Sequence, residues 1–186
     1  MIRPLFCFAA GLMLTGAPVL AQQLPGLPEG FILGPVFEDF GPHAPVDSDV
    51  PLPADIQLAV AFDVAKSEEA TLNRTLTSAA RFINMHVANG VAPENIRVAV
   101  VVHGSAVFDM AVDAAYARRW PDQASNTNAE LIAALMQQGV EIIICGQSAA
   151  AQGLEKTELL PGVTMELSAM TAHARLQQAG YTLNPF

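Results

Sequence analysis

Val140-Glu141-Ile142-Ile143-Ile144-Cys145-Gly146-Gln147-Ser148 is the stretch whose reading decides the fold. A near-continuous aliphatic run of this length is a strand covered on both faces. A short helix is predicted from Ser148, so a thiol stands where a strand gives way to a helix. Working backwards, Asn126 or Thr127 can cap a helix that runs to Gln138, with Leu131, Ile132 and Leu135 inward and Gly139 as its stop. Ile96–Val102 is a second valine-rich strand, and Ile56–Phe62 reads as another. Between them, residues 68–88 carry Leu72, Leu76, Ala79, Ile83 and Val87 at helical spacing, with Ser67 as cap and Gly90 as terminator. Residues 106–117 are predicted helical up to the break at Trp120-Pro121. Beyond Cys145 follow a strand over Val163–Leu167, a helix over Ala169–Ala179 and an extended piece at Tyr181–Leu183. Strands separated by helices imply parallel crossovers. The expected fold is a three-layer α/β/α sandwich, over residues 54–186, with a mostly parallel sheet of about five strands.

The beginning of the chain reads differently. Met1-Ile2-Arg3, the apolar Leu5–Leu14 and the small residues before Gln22 predict a signal peptide over 1–21, cut near Ala21/Gln22. Its apolar core is too short for a permanent membrane span. The expected protein is therefore periplasmic or secreted, with no membrane attachment after cleavage. Residues 22–53 carry prolines at 25, 28, 35, 42, 45, 51 and 53, which disfavours regular helix or internal sheet. Phe31, Ile32, Leu33, Val36, Phe37 and Phe40 make this arm too apolar for a solvated tether. It packs either on its own domain or on a neighbouring subunit.

The formal charge is −9, and loss of residues 1–21 removes Arg3 and no acid, giving −10. Such acidity argues against nucleic-acid partners, which need clustered Lys and Arg. Cys7 falls within the signal, so Cys145 is the one thiol expected in the mature chain, and no intrachain disulfide can form.

In open parallel sheets chemistry gathers beyond the carboxyl ends of the strands. His103 follows the second strand there and Cys145 ends the third. If those strands are neighbours, imidazole and thiol share a crevice. Unpaired N–H groups at the helix start favour thiolate over thiol, and the thiolate is the nucleophile. Gly104 and Gly146 open the backbone around the crevice, and Gln147 and Ser148 can donate to an anionic sulfur or a small bound species. A buried structural cysteine is the competing reading. For His103 the competing reading is a strand-end cap bonded to backbone.

Other residues point less far. His173 suits a packed structural role on the last helix, His86 suits a helix C-terminus, and His43 lies in the arm without ligand partners. The histidines and Cys145 lack metal-ligand spacing, so no metal is expected. Gly104, Gly146 and Gly153 form no dinucleotide fingerprint. Asn73-Arg74-Thr75 matches a glycosylation sequon inside a predicted helix, and Arg118-Arg119 reads as a solvated helix end.

The run Val140–Gly153, with Ala99–Gly104, Leu160–Val163, Ser168–Ala172 and Gly180-Tyr181, resembles the DsrE/DsrF-like family of sulfur-handling proteins. The segment from Gly34-Pro35-Val36 through Gly41-Pro42 resembles the arm of exported members. The resemblance implies compact α/β/α domains that assemble as trimers, hexamers or mixed oligomers. It implies a persulfide on a cysteine equivalent to Cys145, passed between a donor and an acceptor protein, without metal or organic cofactor. The export signal and the arm depart from the cytoplasmic relatives. Two alternatives stand beside sulfur relay: a non-catalytic oligomeric binding or assembly module, and a thiol redox sensor.

Overall fold

A computed structural model describes residues 27–53 and 55–184. The signal segment, its cleavage point and Cys7 lie outside the described residues. Among those residues, no helix is long and apolar enough to cross a membrane.

Five strands form one sheet: β1 (Leu58–Val64), β2 (Ile96–Val102), β3 (Glu141–Cys145), β4 (Thr164–Glu166) and β5 (Thr182–Asn184). Their order is β4-β3-β2-β1-β5, and every pairing is parallel. Five helices accompany them: α1 (Arg74–Ala88), α2 (Asp113–Arg119), α3 (Ala129–Gln137), α4 (Gly146–Gln152) and α5 (Ala169–Gln178). The three central strands are aliphatic because both their faces are buried.

Side chains alternate between those faces. Val60, Phe62, Val64, Val98, Val100, Val102, Ile142 and Ile144 pack beneath α1 and α3 in the larger core. Ala61, Ala99, Val101 and Ile143 pack against Ala172, Leu176 and Tyr181, so this second face is roofed by α5.

β1 runs Leu58–Val64 instead of Ile56–Phe62, and α4 begins at Gly146 instead of Ser148. Two larger departures have a visible cause. Helix α1 starts at Arg74 instead of 68, capped by Asn73 in place of Ser67. The cause is a buried carboxylate. Asp109 accepts hydrogen bonds from the Ser67 hydroxyl and from Asn73 Nδ2, at 2.7 Å for the latter, and thereby holds residues 67–73 as a loop. The same bond commits the Asn73 amide, which also donates to Lys66 O, so the sequon asparagine is buried and its amide occupied. The single helix expected over 106–117 is instead a 3-10 segment, Gly104–Met110, followed by α2. The split falls at Ala111, which bridges to Leu159 across the chain.

The arm covers its own domain. Phe37 is buried in the larger core, and Asn84 of α1 clasps the surrounding backbone. Asn84 Oδ1 accepts from the N–H groups of Val36 and Phe37, while its Nδ2 donates to the carbonyls of Phe37, Phe40 and Gly41. Gly41, with φ of 64°, passes so close to the Ala80–Arg81 backbone that no side chain fits. His43 is buried and its Nε2 pairs with Gly34 O at 2.9 Å, which gives this histidine a structural role.

Candidate functional site

Strands β2 and β3 are neighbours, and Val102 pairs with Ile144. His103 and Cys145 therefore follow at matching positions on adjacent strand ends. Alternation puts both on the face that α5 roofs, together with Asp63 near the end of β1. One corner of the sheet thus collects an imidazole, a thiol and a carboxylate.

Cys145 is the N-cap of α4, and its sulfur accepts from Ser148 N at 3.4 Å. The residue is 5 % exposed. Burial raises its pKa, but hydrogen bonds from the Ser148 hydroxyl and from the N–H groups of Ser148, Ala169 and Gln147 outweigh it. The net result is a thiol held below the ordinary cysteine value. Donors reach the sulfur from the starts of two helices, α4 and α5.

The surrounding residues have distinct tasks. The Ser148 hydroxyl also accepts from Gly104 N at 3.0 Å, tying α4 to the end of β2. Gly104 has φ of 57°, and a side chain there would strike Ala65 O. Gly146 lies so near Glu166 O that an added Cβ would come within 2.8 Å of it. Both glycines are required by close backbone approach. Gln147 offers its backbone N–H to the sulfur, whereas its side chain donates to Leu167 O at 3.3 Å.

His103 does not bond the sulfur, and its side chain does not cap backbone. Its Nε2 faces Asp63 Oδ2 at 3.0 Å, while His173 Nε2, from α5, faces Asp63 Oδ1 at 2.7 Å. Burial raises the Asp63 pKa, and the two imidazole bonds more than offset it, leaving the carboxyl below its usual range. Sequence reasoning missed Asp63 and set His173 aside as packing. The available signal for Asp63 is a carboxylate at the carboxyl end of the first strand; its face relative to His103 and Cys145 is set by the pairing register. Nothing local marks His173, which comes from 110 residues beyond its partner.

Two large apolar side chains stand exposed beside this corner, where β4 passes into α5. Leu167 is 71 % exposed and Met170 80 %. Among the described residues no group of His, Cys, Asp and Glu is arranged to hold a metal ion.

A family model described as the DsrE/DsrF-like family matches residues 58–185. The chain belongs to the DsrE/DsrF-like family. No curated protein matches the sequence significantly. Two solved structures share the fold. One is MTH1491, a protein of unknown function from Methanobacterium thermoautotrophicum, with a TM-score of 0.52 at 21 % identity. The other is the ychN protein from E. coli, with a TM-score of 0.51 at 13 % identity. In each case the likeness covers 70 % of this chain and 100 % of the other. DsrE-family membership agrees with the all-parallel sheet flanked by helices, in which Cys145 ends β3.

Proposed function

We propose that this DsrE-family protein carries sulfane sulfur as a persulfide on Cys145, outside the cytoplasm, and works as a homo-oligomer that exchanges sulfur with a donor and an acceptor protein. The observation that carries the reading is the convergence of hydrogen-bond donors from α4 and α5 on the Cys145 sulfur, which favours the anion. The same donors suit the charge of Cys–S–S⁻. A buried structural cysteine needs no such donors, since free cysteine packs as a small hydrophobe. Transfer proceeds by attack of one sulfur on another and requires neither metal nor organic cofactor.

Protein loaded with sulfane sulfur is expected to release thiocyanate on treatment with cyanide, and Cys145→Ser to release none. Equal release from the variant would end the reading. The export component has its own check: intact mass of protein from an exporting host should begin at Gln22.

The exposed pair Leu167 and Met170 beside the thiol supports the second reading, an assembly or docking module. Replacing both by glutamate should lower the mass in solution if this rim joins subunits.

A further inference from the structure

The carboxylate between the two imidazoles goes unused in a reading that needs only a stabilised thiolate. Asp63 offers one oxygen to each ring, and both contacts use Nε2. A carboxylate accepts, so each ring donates an Nε2 proton and leaves Nδ1 as its proton-accepting atom. The two rings then differ. His173 Nδ1 is buried and has no hydrogen-bond partner, so a second N–H there would be a buried unpaired donor. His173 is confined to the tautomer that grips Asp63. The His103 side chain keeps 32 % of its surface exposed and stands beside Cys145 on the adjacent strand, so its Nδ1 is the one able to gain and lose a proton.

We propose that His103 is the proton carrier for sulfur exchange at Cys145, that Asp63 is the residue positioning it, and that His173 locks Asp63 from α5. This deepens the persulfide reading and rests on it. The balance is closed. His103 takes the Cys145 proton on Nδ1, and the thiolate attacks the outer sulfur of a donor persulfide, R–S–S⁻. A bond forms between Sγ and that sulfur, the S–S bond of the donor breaks, and the electron pair leaves on the inner sulfur as RS⁻. That thiolate takes the proton back from His103 and departs as RSH, leaving Cys145–S–S⁻. No electrons are exchanged with an outside reagent. An alkanethiolate is a basic leaving group, and the proton lowers the barrier to its release. The substrate class is therefore an alkyl persulfide on a peptide or a small thiol.

Two reactions of the mature protein separate proton transfer from mere shaping of the site. Loading from glutathione persulfide expels a basic thiolate. Alkylation by iodoacetamide expels iodide, which needs no proton. At neutral pH, with each alkylation rate referred to the thiolate fraction from its own pH profile, His103→Gln and Asp63→Asn should slow loading by about tenfold or more while alkylation changes less than about threefold. Equal losses in both reactions, or no loss in loading, would overturn the proposal. If wild-type protein takes no sulfur from the persulfide, the carrier reading itself fails, a result distinct from selective loss in the variants. A measurement on wild-type protein guards against variants that misfold: imidazole 15N spectra should show His103 and His173 as Nε2–H tautomers. An Nδ1–H tautomer at His103 would refute the positioning.

Discussion

The two faces of the sheet are built to different ends from the same strands. One face presents Val60, Phe62, Val98, Val100, Ile142 and Ile144, and is covered by α1, α3 and the proline-rich arm. The other presents the smaller Ala59, Ala61 and Ala99, and is roofed by α5 with Tyr181. Small residues let that helix approach, and its first turns then overhang the carboxyl ends of the strands. The first face holds the molecule together and the second brings chemistry to an edge. A parallel strand serves both because its side chains alternate, so Asp63 and His103 face the site while Val64 and Val102 face the larger core.

The sharpest way to break the contrast is to loosen the thick face. Asn84→Ala removes a buried amide that satisfies five backbone groups of the arm. We expect a loss of about 3–5 kcal/mol in chemical denaturation, because several buried polar groups lose partners at once. Alkylation of Cys145 in the variant that remains folded should be unchanged. A slower thiol would show that the two faces are coupled.

A smaller effect should come from Asp109, buried on the thick face. Burial pushes its carboxyl up to about 6 from 3.8, against the hydrogen bonds from Ser67 and Asn73 that favour the charged form. A folded-state value above the unfolded one means stability is greatest with the group protonated and falls as pH rises from about 4 through about 6. The shift corresponds to about 3 kcal/mol. Asp109→Asn keeps a donor and an acceptor for the same neighbours, so this part of the pH dependence should vanish from denaturation curves measured between pH 4 and 7. A slope unchanged from wild type would place the titration elsewhere.

The smallest effect belongs to the thin face. Ser148→Ala deletes the hydroxyl that helps hold the sulfur anionic. The alkylation profile of Cys145 should move to higher pH and the neutral-pH rate should fall several-fold, in line with about 1 kcal/mol for one hydrogen bond. Stability should fall by about 1 kcal/mol as well, because Gly104 N loses its acceptor.

The legible part of this fold was the part written in local periodicity. The strands ending at Val102 and Cys145 and the helices over 129–137 and 169–178 follow from aliphatic runs and helical spacing. Local period alone overextends α1, because Leu72 fits it, although Leu72 is 37 % exposed and belongs to the loop that Asp109 holds. The 3-10 segment is invisible in the local pattern for a similar reason. Its shape is set by contacts of Asp109 and Ala111 with distant residues, and local composition carries no trace of them. At the site, Cys145 and His103 were visible as strand-end residues. Asp63 and His173 became neighbours only through chain pairing across the whole domain.

Within Ala169–His173, helix α5 delivers a backbone donor to the sulfur, an imidazole to Asp63 and the cover over both. A segment that short is kept or exchanged as a unit. Any chain of this architecture that replaces the first turns of α5 changes donor, ring and cover in one stroke, and so can change what it handles without redesigning its foundations.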